Sequence, residues 1–136
     1  MGRSNKVLID TNVLIYMYEE KQDIFDKVKE LIPQVEFFVL DKIYDEIEKV
    51  YKTKPMRKKL LLRYMGKLEA SKKFQIIKVP EDVLARVYKY QQIDKLLIYF
   101  CNDYLIYTND KVLKVKIKER RGKVITFKKQ GGVVIE

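Results

Sequence analysis

Short apolar runs alternate along this chain with longer segments in which apolar residues recur at helical spacing. Five apolar runs predict strands at residues 6–10, 37–40, 74–79, 104–108 and 124–127. The segments between them predict helices at about 11–19, 22–32, 41–52, 57–73, 80 onward and 94–101. Because strands that alternate with helices form parallel sheets with both faces covered, the pattern predicts an α/β fold with a central parallel sheet of about five strands.

The segment between the last two predicted strands carries two patterns at once. Leu113, Val115 and Ile117 alternate with lysines, which is typical of a strand. Leu113 and Ile117 are also spaced as on one face of a helix, and Gly122 is suited to end that helix. Because two parallel strands need a crossover between them, we predict a helix over residues 110–121.

Prolines and capping residues set the expected ends of the helices. Pro33 is expected to end the second helix, and Lys54-Pro55 is expected to end the third helix before the fourth begins. Asp41 is a good N-cap residue for the third helix. Pro80 is followed by two acids, which is typical of the first turn of a helix.

Length and composition predict one domain. The chain has 136 residues, of which 47% are hydrophobic, enough for one core. Residues 1–5 are expected to form a loose leader. No apolar run approaches the roughly 18 residues of a membrane span, and polar residues interrupt the N-terminal run in a way that a signal peptide would not. We therefore expect a cytoplasmic protein with no membrane partner.

The residue inventory excludes several kinds of catalytic site. The chain has no histidine and a single cysteine, Cys101, which lies in an apolar run and is expected in the core. This excludes histidine-dependent triads, an internal disulfide, and zinc sites built from cysteine or histidine. The two serines, Ser4 and Ser71, lie in charged segments. Carboxylates and the metals that they bind remain as the candidate chemistry.

Four acidic residues fall where this fold would bring them together. Asp10 and Asp110 follow the first and fourth strands, whereas Glu46 and Asp94 lie near the starts of two helices. Ligands of parallel sheets bind at the carboxyl ends of the strands, which places Asp10 and Asp110 at that edge. Each acid has a structural alternative, because such residues also cap helices or favour their positive ends.

Helical geometry distinguishes Glu46 from the acids beside it. The apolar face of its helix is formed by Ile43, Ile47, Val50 and Tyr51. At about 100° per residue, Glu46 lies roughly 80° from the centre of that face. Asp45 and Glu48 point farther toward solvent. Glu46 is thus the acid best placed to enter a cleft, and the alternative is a carboxylate at the flank of the core with no role.

A cluster of carboxylates needs a cation to stay ionised, because like charges raise one another's pKa. Mg²⁺ and Mn²⁺ prefer oxygen ligands, and either ion activates a coordinated water and stabilises charge on a phosphodiester. The net charge of +10 favours nucleic acid as the partner, although a lysine-rich surface is also typical of thermophiles. The residues together favour metal-dependent cleavage of a polyanion.

Two basic segments are candidate contacts for RNA. The fourth helix carries Arg57, Lys58, Lys59 and Arg63. These cations could contact an RNA backbone, and the alternative is a solvated helix face. A denser basic segment covers residues 114–123 and begins near Asp110. Its far part is expected to lie away from the scissile phosphate.

Tyrosine is abundant, with 10 residues in the chain. Tyrosine rings can stack on unpaired bases. Tyr16, Tyr44 and Tyr99, however, fall on apolar faces, and we expect those three in the core.

Four short motifs, in this order, resemble the signature of PIN-domain ribonucleases. They are Ile-Asp-Thr-Asn-Val-Leu at 9–14, the acid-rich segment at 39–49, Ile-Asp-Lys-Leu-Leu-Ile at 93–98 and Thr-Asn-Asp at 108–110. Each motif alone is unspecific, but the ordered set spans nearly the whole chain. The resemblance implies a three-layer α/β/α PIN-like domain, Mg²⁺- or Mn²⁺-dependent cleavage of RNA, and a homodimer.

The resemblance also implies roles for particular residues. The implied acidic metal site consists of Asp10, Glu46, Asp94 and Asp110. Asn12 and Thr108 match polar residues of the family that position loops and orient a metal-bound water. Lys95 departs from the pattern, because family members often have a small or acidic residue there. A lysine beside the site could contact phosphate or weaken metal binding.

The acid-rich segment around Glu46 is most similar to the corresponding segment of archaeal PIN proteins related to small-subunit rRNA-processing factors. It is less similar to that of VapC toxins. The leading hypothesis is a metal-dependent endoribonuclease of PIN type, for which this similarity favours a role in rRNA processing. The alternatives are a VapC-type toxin with an antitoxin partner, and a non-catalytic RNA-binding or ribosome-assembly module on the same fold.

Overall fold

The computed structural model describes residues 5–128 and 132–136. The expected leader therefore lies outside the described residues, except for Asn5. The Asn5 carbonyl accepts a hydrogen bond from the Glu36 backbone N–H at 2.8 Å. Asn5 is thus attached to the sheet, and including it in a loose leader was wrong.

A mostly parallel sheet forms the centre of the fold. Its strands within the described residues are β1 (Lys6–Ile9), β2 (Glu36–Leu40), β3 (Gln75–Ile77), β4 (Leu105–Tyr107), β5 (Val124–Phe127) and β6 (Val133–Ile135). They lie in the order β3-β2-β1-β4-β5-β6. The five predicted strands are parallel, and β6, which the sequence pattern did not predict, pairs antiparallel with β5.

Helices connect the strands and cover the sheet. Within the described residues they are α1 (Thr11–Glu20), α2 (Ile24–Leu31), α3 (Ile43–Val50), α4 (Pro55–Ala70), α5 (Glu81–Val87), α6 (Ile93–Phe100) and α7 (Lys111–Glu119). Right-handed crossovers place α1–α4 on one face and α5–α7 on the other. In agreement, α1 contacts α3 and α4, and α6 contacts α5 and α7. The predicted three-layer α/β/α architecture is confirmed. In this part of the chain no helix is long and apolar enough to cross a membrane.

The two central strands supply the middle of the core. Val7, Leu8 and Ile9 of β1 are fully buried, as are Ile106 and Tyr107 of β4. Both faces of these strands are covered by helices, which is why their sequences are continuously apolar and not alternating. Cys101 is buried, as expected.

The ambiguous basic segment is a helix, as predicted, but its end differs from the expectation. Arg121 takes the left-handed conformation, with φ of 61°, in place of Gly122. Gly122 is needed for another reason. A Cβ atom at that position would lie 2.7 Å from Cγ2 of Ile117 and 3.1 Å from Sγ of Cys101. The glycine therefore allows the chain to pass close to α6 and α7.

Asp41 does not cap the third helix, and that prediction was wrong. The N-cap position of α3 is Lys42, which has no side-chain capping bond. Oδ1 of Asp41 instead accepts a hydrogen bond from the Val79 backbone N–H at 3.2 Å. Asp41 thus ties the end of β2 to the segment after β3.

Candidate active site

The central strands β1 and β4 are neighbours at the point where the chain's connections diverge. The chain leaves β1 toward β2 and leaves β4 toward β5, so the two connections move in opposite directions. A crevice forms at the carboxyl ends of such strands. Asp10 follows β1 directly and Asp110 lies in the segment between β4 and α7, which places both residues at this crevice.

Thr108 links the two aspartates. Its hydroxyl donates a hydrogen bond to Oδ2 of Asp10 at 2.7 Å. The hydroxyl oxygen of Thr108 also accepts a hydrogen bond from the Asp110 backbone N–H at 3.1 Å. Thr108 is fully buried, so no water competes for these contacts. The structure thus places Thr108 where it can hold both acidic segments in register.

Asp10 is a buried carboxylate with an abnormal acidity. Only 4% of its surface is exposed. Burial, joined by repulsion from Asp94 and Asp110, raises the pKa of Asp10 to about 7, and the Thr108 hydrogen bond offsets only part of that effect. Asp10 occupies the N-cap position of α1, but its side chain makes no capping bond. Capping therefore does not account for this residue.

Asp94 completes a group of three mutually repelling acids. It lies in the first turn of α6, one residue after the helix starts, and the N-cap position belongs to Gln92. Burial and the charge of Asp110 raise the pKa of Asp94, whereas Lys116 and Lys95 lower it. The site is therefore acidic in its interior and bordered by cations.

The structure separates Glu46 from the acids around it. Tyr88 donates its hydroxyl to Asp45 at 3.2 Å, and Lys58 pairs with Glu48 at 3.0 Å. Within the described residues, the carboxylate of Glu46 makes no hydrogen bond or ion pair. Glu46 instead lines a cleft of about 350 Å³ that it shares with Asp94. We call this the acidic cleft.

Asp110 serves the fold as well as the site. It is the N-cap residue of α7, and its Oδ1 accepts a hydrogen bond from the Leu113 backbone N–H at 3.0 Å. Asp110 therefore caps a helix, which was the structural alternative to a role in the site. Capping does not remove Asp110 from the site, because its charge still raises the pKa of both Asp10 and Asp94.

The two asparagines near the site differ in what they contact. Asn12 is exposed, and among the described residues its side chain makes no hydrogen bond. Asn109, which was not predicted among the site residues, exchanges two hydrogen bonds of 3.1 Å with the backbone of Phe127. Asn109 thus fixes the loop between β4 and α7. The position of Asn109 between Thr108 and Asp110 was the feature of the sequence that could have identified it as a site residue.

Cations border the acidic cleft. Lys95, Lys49 and Lys116 all line it. Nζ of Lys49 also donates to the Gln91 carbonyl at 2.7 Å. Sequence reasoning missed Lys49. Lys116 belongs to the near part of the basic segment, and it lies close enough to Asp94 to lower its pKa, because α7 packs beside α6.

The remaining basic and aromatic candidates lie elsewhere. Arg57, Lys59 and Arg63 are exposed on α4, and Lys58 of the same helix pairs with Glu48. None of these four lines the acidic cleft. Tyr99 was expected in the core, but 40% of its surface is exposed. That expectation was wrong, because Tyr99 faces outward from α6 beside Arg86, whose guanidinium carbon is 6.0 Å from the ring centroid.

The candidate ligands suit a hard divalent cation, but they do not form a complete coordination site. All the candidate ligands are carboxylates, which Mg²⁺ and Mn²⁺ prefer. Among the described residues, no three acidic side chains are close enough to bind one ion together as they stand. Mg²⁺ is commonly held by one or two carboxylates, with waters completing its coordination. The buried Asp10, whose ionised form is disfavoured, is the feature that a cation would stabilise.

Comparisons with known proteins find relatives of this chain and of its fold. The family model described as PIN domain matches residues 7–130. Ribonuclease VapC9 of Archaeoglobus fulgidus is 29% identical over 140 residues, which cover 99% of this chain and 94% of that protein. The solved structure of the PIN domain endonuclease Utp24 has the same fold, with a TM-score of 0.68 and 21% identity, over 96% of this chain and 90% of that one.

Proposed function

Because this chain belongs to the PIN-domain family, we propose that it is a metal-dependent endoribonuclease, a single nuclease domain that hydrolyses RNA phosphodiester bonds. The observation that carries the proposal is the crowding of like charges at one crevice. Asp94 and Asp110 both raise the pKa of the buried Asp10. In a chain of net charge +10, acids gathered against their own repulsion are the arrangement that a cation-dependent site requires.

Each acid has a proposed role. Asp10, Asp94 and Asp110 would hold the ion, Mg²⁺ or Mn²⁺, directly or through its coordinated waters, and Glu46 would ligate it or orient a coordinated water. When bound, such an ion makes water more acidic and neutralises charge that develops on the phosphate. Thr108 fixes the Asp10 carboxylate through its hydroxyl. Asp110 keeps one oxygen on the α7 backbone and offers the other to the site.

Lys95 and Lys116 are proposed to receive the RNA backbone at the cleft. Both lysines line the acidic cleft, and both lower the pKa of Asp94. They therefore favour the ionised form of that carboxylate, which is the form that binds metal. Because Lys95 favours this ionised form, we assign it to phosphate contact and not to the weakening of metal binding. If Lys95 instead weakened metal binding, Lys95→Ala would be more active than the wild type.

A matched pair of variants on α3 tests the proposal. Glu46→Gln removes a carboxylate of the acidic cleft, whereas Glu48→Gln removes an exposed carboxylate that pairs with Lys58. With labelled unstructured RNA and Mn²⁺, we expect Glu46→Gln to lose at least about 100-fold in cleavage rate. Glu48→Gln should cleave at close to the wild-type rate, and EDTA should abolish cleavage by every variant.

Three results would count against this function. Cleavage that persists in EDTA would refute the role of the metal. Equal activity of the two α3 variants would remove Glu46 from the site. RNA binding without any cleavage in Mg²⁺ or Mn²⁺ would favour the alternative of a non-catalytic RNA-binding or ribosome-assembly module.

A VapC-type toxin is the second candidate role. The 29% identity to ribonuclease VapC9, over nearly all of both chains, favours it. This role predicts growth arrest on expression, relieved by Glu46→Gln, and a small antitoxin partner that copurifies. The segment around Glu46 instead favours rRNA processing, which predicts cleavage at a defined rRNA position when total RNA is mapped. A homodimer is expected in either role, and light scattering of the purified protein measures it.

A further inference from the structure

The acidic cleft continues into a second depression on the side of α5, α6 and α7. Both have Gln92, Lys95, Ile98 and Lys116 in their walls. The second depression has a volume of about 520 Å³, so it is larger than the acidic cleft. We call it the basic–aromatic groove, and its defining residues are Arg86, Tyr90, Lys95, Tyr99, Lys116 and Arg120.

The groove has a strong excess of positive charge. It is lined by the cations Arg86, Lys89, Lys95, Lys116 and Arg120, with Glu119 as the opposing carboxylate. Arg86 lies 3.8 Å from Asp82, but both side chains are more than half exposed, so solvent screens this pair. Among the described residues, the other four cations make no ion pair. The excess charge is therefore available to an anionic ligand.

Two tyrosine rings are open to solvent within this basic surface. Tyr90 is 77% exposed and Tyr99 is 40% exposed. The ring of Phe100 lies edge-on to that of Tyr99, with centroids 5.1 Å apart, and the guanidinium carbon of Arg86 lies 6.0 Å from the Tyr99 centroid. These contacts orient the Tyr99 ring while part of it stays accessible. Proteins that bind single-stranded nucleic acid combine such rings, on which bases stack, with cations that follow the backbone.

We propose that the basic–aromatic groove is a subsite for a single-stranded segment of RNA, in which an unpaired base stacks on Tyr99 and Arg86 and Arg120 contact phosphates. The inference rests on the proposed function, since the groove opens into the cleft where we place cleavage. Bases in a duplex are stacked on one another and cannot offer a free face to Tyr99. The groove therefore selects unpaired RNA beside the cleavage site.

Binding of RNA in EDTA tests the charge of the groove without cleavage. The test variant is Arg86→Ala/Arg120→Ala, and its matched control is Lys27→Ala/Lys29→Ala on α2, which removes the same charge from another helix. Against a labelled unstructured 12-mer, we expect the groove variant to bind more weakly. Its slope of log affinity against log salt should fall by about 1.4, at about 0.7 for each lost phosphate contact. The control should keep the wild-type slope.

Tyr99 variants test stacking. Tyr99→Ala should weaken binding of the single strand by about tenfold, whereas Tyr99→Phe keeps the ring and should bind like the wild type. Neither variant should change binding of a duplex. The wild-type behaviour of Tyr99→Phe would also show that position 99 tolerates substitution without misfolding.

Several results would overturn the subsite. Equal losses in the groove and α2 variants would show that only net charge matters, and equal losses for duplex and single strand would remove stacking. A groove variant that loses binding of polyglutamate but keeps wild-type binding of RNA would assign the surface to an acidic protein.

Cleavage in Mn²⁺ separates this inference from the proposed function. If the wild type cleaves RNA and the groove variant has an unchanged kcat/KM, the subsite is wrong and the nuclease stands. If the wild type cleaves nothing but the groove and Tyr99 variants bind RNA more weakly as expected, the nuclease is wrong and the subsite stands.

Discussion

Replacing Asp10 by asparagine should change how the stability of the metal-free protein depends on pH. The pKa of Asp10 is raised from 3.8 to about 7 by burial and by the neighbouring acids. Between those two pH values the folded protein holds a proton that the unfolded chain has lost. The contribution of this proton to stability is therefore complete below about pH 4 and is lost as the pH rises through about 7.

The size of the effect follows from the same pKa. At about 1.4 kcal/mol for each pH unit, ionised Asp10 costs the fold about 4 kcal/mol above pH 7. Because Asp10 is 4% exposed, solvent screening removes little of this. The side chain introduced by Asp10→Asn would stay neutral at every pH and could still accept the Thr108 hydrogen bond. Its amide N–H group would need an acceptor, and the lack of one would cost about 1 to 3 kcal/mol of stability.

Urea unfolding in EDTA between pH 5 and pH 8 measures the prediction. The free energy of unfolding of Asp10→Asn, relative to the wild type, should rise by up to about 3 kcal/mol over that range. Asp103→Asn replaces an exposed acid of the α6–β4 connection and should show no such rise. A constant difference between Asp10→Asn and the wild type across the range would refute the buried, repelled state of Asp10.

Three further predictions concern residues around the site and in the core. Thr108→Val leaves two groups without their hydroxyl partner and should lower stability by about 1 to 3 kcal/mol in urea, whereas Thr108→Ser should not. Gly122→Ala places a methyl group 2.7 Å from Cγ2 of Ile117 and should lower stability by about 1 to 3 kcal/mol. Gly66→Ala, in open space on α4, should raise stability by about 0.5 to 1 kcal/mol. Stability changes of the same sign for both variants in calorimetry would contradict the packing argument. Asn109→Ala loses both hydrogen bonds to Phe127, and hydrogen exchange at Phe127 should accelerate, with unchanged exchange as the contrary result.

The hydrophobic pattern was sufficient to predict the elements that hold the site. Strands such as β1 and β4 are buried on both faces, so their runs are continuous and easy to recognise. The α7 helix required a topological argument, because Leu113 and Ile117 fit two periodicities and only the crossover between β4 and β5 decided between them. Among the described strands, the short β6 pairs with β5 alone, and its residues are half-buried or exposed, so its sequence carries little signal.

Side-chain partners were harder to predict than the elements. Asp41 matches the preference for a helix cap, yet it bonds to Val79, 38 residues away. Tyr99 was misplaced, because helical spacing gives the face of one helix but not what packs beside it. Glu46, in contrast to Asp45 and Glu48, lines the acidic cleft, and its angle to the buried face of α3 was enough to predict that position. Its role in the site stays a prediction.

Titration with Mn²⁺, followed by the electron paramagnetic resonance of the free ion, tests the acidic site most directly. The wild type should bind Mn²⁺, and Asp94→Asn should bind it at least about tenfold more weakly, since it removes a carboxylate ligand. The exposed control Asp103→Asn should match the wild type. Mn²⁺ binding that is absent in the wild type, or equal in all three proteins, would contradict the assignment of these acids to a metal.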